Sequence, residues 1–163
     1  MRKFLYVIVF PAALFLGSCN QGKKSDSAAS ADSLTTTVQC YTSVFEADTA
    51  HLKTMTDTSG KVSGELTISY GKQKIVSSGE MLVHIGEIAG SFKGDTLFVD
   101  YIYKNGKTGK ETFKNPLALL RKDETLILGV GEIETYLGRS YFVKGKPIDF
   151  GIAKFKFKPV SCQ

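Results

Sequence analysis

Apolar and polar residues alternate along most of the chain beyond residue 37, which is the period of a strand with one buried face. The clearest case is the run from Val62 to Tyr70. Comparable runs, separated by short turn sequences, are Val38–Phe45, Thr49–Thr58, Lys74–Val76, Glu80–Lys93, Thr96–Lys104, Lys110–Lys114, Thr125–Tyr136 and Ala153–Lys158. The pattern predicts about eight strands, and no run has the spacing of an amphipathic helix.

Turn residues between these runs predict short connections, as in antiparallel hairpins. Asn105-Gly106 is the strongest hairpin signal, because a type I′ turn needs positive φ at both positions. Pro116 interrupts or ends the strand that returns from this turn. The next segment, Leu117–Leu120, fits either a strand extension or one helical turn. The glycine-containing stretch 136–151 predicts a long irregular connection.

Residues 1–18 have the layout of a secretory signal peptide: a cationic start, an apolar run and small residues before a cysteine. The apolar run, Phe4–Leu16, has about 13 residues and is too short to cross a bilayer of roughly 30 Å as a helix. Residues 19–37 are mostly small and polar, so we interpret them as a lipidated cysteine and a flexible tether. The folded domain is then expected at 38–163.

The sequence Leu16-Gly17-Ser18-Cys19 resembles the lipobox of bacterial lipoproteins. This resemblance implies that Cys19 is lipidated and that its acyl chains, palmitate among them, anchor the protein in a membrane. Asn20 stands where an aspartate retains enterobacterial lipoproteins at the inner membrane, so the resemblance implies the outer membrane. Whether the domain faces the periplasm or the cell surface stays open. The alternative is an ordinary signal peptide with a chance cysteine.

The other two cysteines, Cys40 and Cys162, stand near the two ends of the expected domain. Exported proteins meet oxidising conditions, so we expect this pair to form a disulfide, with two separate thiols as the alternative. The spacing is not that of a redox motif, and no cluster of cysteine and histidine indicates a metal site. The sequence predicts no cofactor.

We predict an all-β fold: an antiparallel up-and-down barrel of about eight strands, lipocalin-like. Glycines within the runs, such as Gly86 and Gly90, are common where a sheet bends into a barrel. A bond between Cys40 and Cys162 would also join the first strand to the last, as closure requires. A β-sandwich of two sheets is the alternative.

Three segments, Gly90–Leu97, Tyr101–Tyr103 and Gly129–Glu132, resemble parts of small uncharacterised β-rich lipoproteins of Bacteroidota-type bacteria. The resemblance covers most of the domain. It agrees with the lipobox in implying an envelope lipoprotein, and it implies no activity.

Charge and motifs narrow the classes of function. The formal charge of the chain is +5, and it falls to +3 when Arg2 and Lys3 leave with the signal peptide. No basic helix with interleaved aromatic residues is present, so nucleic acid is not an expected partner. The sequence has no nucleophile elbow, phosphate loop, zinc-protease motif or calcium loop. We therefore expect a protein that is not an enzyme.

The candidate binding residues are one histidine and a group of aromatic residues. His84 shares the apolar face of its strand, so it is either a polar anchor inside a ligand cavity or an ordinary interior histidine. His51 is out of phase with the apolar residues around it and is expected to face solvent. Tyr136, Tyr141 and Phe142 lie in the long connection. They are candidates to line a binding mouth, with covering one end of the barrel as the alternative.

Three functions are compatible with these residues. We favour a non-catalytic envelope lipoprotein that binds a protein partner or another envelope component. The first alternative is a lipocalin-like carrier of a small apolar ligand, because an eight-stranded barrel can hold one. The second is a hydrolase that uses two of Glu87, Glu132 and Glu134, and it requires two carboxylates facing each other across a cleft.

Overall fold

The computed structural model describes residues 36–75 and 79–162. The predicted signal peptide, Cys19 and the tether up to residue 35 lie outside the described residues. The described chain is all β, and no helix in it is long and apolar enough to cross a membrane.

Eight of the ten strands close into one antiparallel barrel, in the order β1-β10-β7-β6-β5-β4-β3-β2. β8 and β9 form a separate hairpin between β7 and β10. The predicted up-and-down barrel is confirmed, and the β-sandwich alternative is wrong. The strands are β1 Thr37–Phe45, β2 Asp48–Thr56, β3 Lys61–Lys74, β4 Met81–Lys93, β5 Thr96–Asn105, β6 Phe113–Lys122, β7 Thr125–Leu128, β8 Ile133–Tyr136, β9 Arg139–Phe142 and β10 Lys156–Val160.

Side chains fill the central part of the barrel. The apolar positions of β3, Val62, Leu66 and Ile68, all face inward and are buried, as the alternation predicts. The largest fully buried side chains come from five different strands: Phe157, Leu66, Ile88, Leu97 and Leu119. Burial of each such side chain contributes about 1.5–3 kcal/mol, so this interior is the main source of the barrel's stability.

Glycines in the barrel wall stand where two strands approach too closely for a side chain. A Cβ atom built on Gly64 of β3 would collide with the carbonyl oxygen of Lys53 on β2. One built on Gly90 of β4 would collide with the carbonyl oxygen of Phe98 on β5. The sequence therefore needs glycine at these positions for the sheet to bend into a closed barrel.

The barrel closes through β10, which has the weakest pairing of any barrel strand. It forms three residue pairs with β1 and two with β7, whereas β4 and β5 share ten. The predicted disulfide is confirmed: Cys40 of β1 is bonded to Cys162, just after β10, across a sequence separation of 122. The Lys156 N–H also donates a hydrogen bond to the Ser43 hydroxyl at 2.9 Å. A covalent bond thus reinforces the seam between β1 and the most weakly paired strand of the barrel.

The two ends of the barrel differ in their connections. At one end, which we call the turn end, three tight turns lie at 57–60, 94–95 and 123–124, together with the start of β1 and the end of β10. At the other, the loop end, lie the connection from β3 to β4, the connection at 106–112 and the long excursion from β7 to β10.

Pro116 neither ends its strand nor begins a helical turn. β6 runs through it from Phe113 to Lys122, so Leu117–Leu120 is strand, and the return strand starts later than Lys110. β7 pairs with β6 only from Leu119 onward. Around Pro116 the strand has β5 on one side only, and the N–H that proline lacks is not required on the other.

The segment after β7 differs from the expected one long strand and irregular connection. The run Thr125–Tyr136 is interrupted after Leu128 and holds two strands, β7 and β8. The stretch 136–151 contains β9, which is joined to β8 by a two-residue turn. Leu137 and Gly138 supply this turn with φ angles of 50° and 74°, as a type I′ turn requires.

Two further strand boundaries differ from the expected ones. The last strand is β10, Lys156–Val160, and not Ala153–Lys158. The short strand expected at Lys74–Val76 does not stand alone, because β3 continues to Lys74. Val76 lies outside the described residues.

Removal of the disulfide is expected to destabilise the barrel strongly. The double variant Cys40→Ser/Cys162→Ser releases a loop closed over 122 residues. The chain-entropy model puts that loss at about 4–5 kcal/mol. Urea unfolding should show this loss both in the double variant and in the reduced wild type. A difference below about 1 kcal/mol would mean that the sheet closes well without the bond.

Addition of one methyl group to the wall is expected to separate β4 from β5. Gly90→Ala forces a Cβ against the backbone of β5 and should cost about 1–3 kcal/mol of unfolding free energy. The matched control is Ser91→Ala, because Ser91 is the exposed next residue of the same strand. Equal stability of the two variants in urea unfolding would contradict the close approach.

Candidate functional site

The loop end of the barrel holds a stack of aromatic rings around His84. The His84 imidazole stacks on the Tyr103 ring with 4.4 Å between centroids and meets the Tyr70 ring edge-on at 4.8 Å. Tyr103 in turn stacks on Tyr101 at 4.7 Å and on Phe113 at 5.4 Å. The rings come from β3, β4, β5 and β6, whose alternation directs these side chains inward.

Hydrogen bonds fix several members of this aromatic stack. The Tyr70 hydroxyl lies 3.3 Å from His84 Nδ1, which accepts a hydrogen bond from it in the neutral tautomer that carries its proton on Nε2. The Tyr101 hydroxyl donates to the Leu66 carbonyl at 3.0 Å. Burial raises the pKa of Tyr101 and of Tyr70 above the ordinary value, so both stay protonated donors. The stack is therefore an ordered closure of the loop end.

Two asparagines add polar groups beside this stack. Asn115 Nδ2 donates to the Tyr103 hydroxyl at 3.4 Å. Asn105, the residue paired with His84 across β4 and β5, has a buried Oδ1 without a hydrogen-bond partner among the described residues. A buried acceptor without a partner costs about 1–3 kcal/mol, and a water at this end would satisfy it.

The hairpin of β8 and β9 lies outside the barrel, with β9 next to β6. Its tip is highly exposed: Tyr136 is 70% and Leu137 84% accessible to solvent. The base is held by packing, because Phe142 and Ile148 lie against Gly131, where a Cβ atom would come within 2.9 Å of the Phe142 ring. The hairpin thus presents apolar side chains to solvent from a fixed base.

A shallow groove separates the hairpin from the outer wall of β4, β5 and β6. Its volume is about 440 Å³, and it is open to solvent along its length. The residues that line it include Ala89, Ser91, Lys93, Phe98, Asp100, Pro116, Ser140, Tyr141 and Phe142. Its lining combines small and apolar side chains with the charged side chains of Lys93 and Asp100.

The four predicted binding residues do not form one cavity. His84 points into the barrel among Tyr70 and Tyr103, where it is half-buried. Tyr141 and Phe142 line the outer groove, and the exposed Tyr136 lies near the hairpin tip. The structure therefore separates an interior histidine from an exterior aromatic surface. His51 is exposed on the outer wall, as predicted.

The three candidate carboxylates lie on the outside of the molecule. Glu87 pairs across the strands with Glu65, and both line an open depression of about 500 Å³ on the wall of β3 and β4. Glu132 forms an ion pair with Lys146 at 3.5 Å, and Glu134 is exposed on β8. The depression that Glu87 lines includes neither Glu132 nor Glu134. Within residues 36–75 and 79–162, no three acidic, histidine or cysteine side chains are grouped as a metal site needs.

The exposed apolar residues of the β8–β9 hairpin were not predicted from the sequence. Ile133 and Leu137 are exposed apolar residues that the alternation had left inside one long strand and one irregular connection. The available signal was Gly138, which supplies a positive φ between two β-prone segments. Leucine is uncommon at the other turn position, and this hid the hairpin.

No protein-family model, no curated protein and no solved structure matches the chain.

Acidification is expected to weaken the fold through His84. Burial lowers the pKa of His84 below its ordinary value of 6.5. The unfolded chain then takes up the proton at higher pH than the folded chain does, so stability falls as the pH drops through 6.5 towards the lowered pKa. Unfolding free energies measured at pH 7 and pH 5 should differ less in His84→Phe, which keeps a ring in the stack.

The control for this titration is His51→Gln on the exposed outer wall, which should retain the wild-type dependence on pH. An unchanged difference between pH 7 and pH 5 in His84→Phe would contradict the role given to His84.

Proposed function

We propose that this chain is a lipoprotein of the bacterial cell envelope, anchored in the outer membrane through lipidated Cys19, and that its barrel binds a protein partner without catalysing a reaction. The observation that supports a binding surface is the exposed apolar tip of the hairpin, Tyr136 and Leu137. This tip projects from a barrel whose centre is filled with side chains. Contiguous exposed apolar groups on a soluble domain typically mark an interaction site.

The disulfide supports an exported location. Bonds such as Cys40–Cys162 persist in the periplasm and at the cell surface, whereas thiols of the cytosol are kept reduced. The lipobox at Leu16–Cys19 supports membrane attachment by acyl chains, of which two or more are needed for firm anchoring. The chain enters the barrel at the turn end, since β1 begins there at Thr37. The loop end is the opposite end of the barrel from Thr37.

The packed interior weighs against the carrier alternative. A carrier of the lipocalin type needs an internal cavity, and the residues at the centre of this barrel, such as Leu66, Ile88 and Phe157, are fully buried against one another. At the loop end, the rings of His84, Tyr103 and Tyr101 already stack on one another, so they occupy the space that a ligand beside His84 would need. A partner on the outside requires no rearrangement of the core.

The positions of the carboxylates weigh against the hydrolase alternative. Acid and base catalysis on a glycoside needs two carboxyl groups on opposite sides of one cleft, about 5–10 Å apart. Glu87 lies on the wall of β4 beside Glu65, whereas Glu134 lies on the separate hairpin. We therefore keep the protein among binding proteins.

The anchor is tested by expressing the full chain and its Cys19→Ala variant in a bacterial host with labelled palmitate. The wild type should carry label and sediment with the outer membrane, and Cys19→Ala should lose the label and leave the membrane. Cys40→Ala/Cys162→Ala is the control, because it changes cysteines without touching the lipobox and should stay labelled. An unlabelled wild type would refute the proposed anchor.

A further inference from the structure

The outer edge of β8 is a free strand edge. Within the described part of the chain β8 pairs with β9 alone, through Ile133↔Phe142, Glu134↔Tyr141, Thr135↔Ser140 and Tyr136↔Arg139. All four residues of β8 are exposed. β9, by contrast, lies next to β6, so it is β8 that faces away from the barrel.

Alternation of the ladder decides which backbone groups of β8 point outward. The Val143 N–H donates to the Glu132 carbonyl at 2.9 Å, so Glu132 faces β9. Hydrogen-bonded and non-hydrogen-bonded pairs alternate in an antiparallel ladder, so Glu134 also bonds towards β9. Ile133 and Thr135 therefore direct their N–H and C=O groups to the outer edge. These two N–H and two C=O groups are free to form hydrogen bonds with one further antiparallel strand.

The side chains along this edge indicate what would pair there. Of the features that protect edge strands, β8 has a short length of four residues and the charge of Glu134, but it contains no lysine, proline or bulge. It carries exposed Ile133 and Tyr136 and the carboxylate of Glu134, which has no ion-pair partner among the described residues. Apolar contact and one negative charge are thus available beside the free backbone groups.

Charge disfavours a second copy of this chain in two of the registers that the free edge allows. In an antiparallel pairing of two β8 edges centred on Glu134, the two Glu134 side chains stand directly opposite each other. In the register that sets Ile133 opposite Ile133 of the second copy, Glu134 stands opposite Glu132. Like charges that face each other across strands are destabilising. Centred on Thr135, the pairing places Glu134 opposite Tyr136, and no like charges meet. Charge thus disfavours two of the three registers of a second copy, whereas a basic residue opposite Glu134 on a partner strand forms an opposite-charge pair.

We propose that the β8 edge binds an extended segment of a partner protein by strand addition, with a lysine or arginine opposite Glu134 and β-branched residues opposite Ile133 and Thr135. Strand addition takes its affinity from main-chain hydrogen bonds and its specificity from alternate side chains. The inference rests on the proposed function, since it gives the binding mode and chemistry of the expected partner.

The test uses two five-residue peptides, Thr-Val-Lys-Val-Thr and Thr-Val-Glu-Val-Thr, titrated to millimolar concentration into the isotope-labelled full-length chain. The Lys peptide should shift the amide resonances of Ile133 and Thr135 and slow their hydrogen exchange. The Glu peptide should bind about five- to tenfold more weakly, because an opposite-charge pair is replaced by a like-charge pair. Glu134→Lys should reverse that order of affinity.

The backbone contribution is tested separately. Thr135→Pro removes the outward N–H and should abolish binding of the Lys peptide, whereas Thr135→Val keeps that N–H and should retain it. The spectrum of each variant also shows whether the β8–β9 hairpin is still formed. Because Glu134→Lys leaves the backbone intact, the reversal of preference remains informative even if the proline disrupts the hairpin.

Three outcomes would overturn the proposal: no shift at Ile133 and Thr135, equal affinity of the two peptides, or an unchanged preference in Glu134→Lys. Concentration-dependent self-association that Glu134→Lys alters would make a second copy the occupant and would also overturn it. The palmitate labelling of Cys19 is independent of these readouts. A failure of the anchor is therefore distinguishable from a failure of strand addition.

Discussion

Closure of the sheet by a five-residue strand is the constraint on which this structure depends. β10 has to bond to β1 on one side and to β7 on the other, with three and two residue pairs. So few hydrogen bonds contribute little free energy compared with the conformational entropy that is lost when the chain ends are ordered. The Cys40–Cys162 bond holds the ends together in the unfolded chain as well, so the seam forms without that entropic cost.

A closed and filled barrel determines where binding is possible. Leu66, Ile88 and Phe157 fill the centre of the barrel, and the ring stack around His84 occupies the loop end. The long excursion between β7 and β10 lies outside the ladder of the barrel. It folds as the β8–β9 hairpin and carries the exposed apolar side chains. In the proposed function, the barrel acts as a support and the hairpin as the recognition element.

Local patterns predicted those features that depend on period two. The run from Val62 to Tyr70 and the glycine bends were readable, since both reflect one half-buried sheet that curves. The pairing of Cys40 with Cys162 followed instead from the oxidising conditions that an exported protein meets. Pro116 was misread, because whether a strand tolerates proline depends on which neighbours flank it. The β8–β9 hairpin was missed because Leu137 is an unusual turn residue and its exposure follows from tertiary position.

Native-state hydrogen exchange, measured residue by residue before and after reduction of the disulfide, tests this account most directly. Reduction should speed exchange first at the amides that join β10 to β1 and β7, while β3, β4 and β5 keep their protection. The β8–β9 hairpin should exchange rapidly in both states, because its ladder is short and exposed. Equal acceleration in all eight barrel strands, or slow exchange in the hairpin, would contradict a barrel that is closed at one seam and carries an independent outer hairpin.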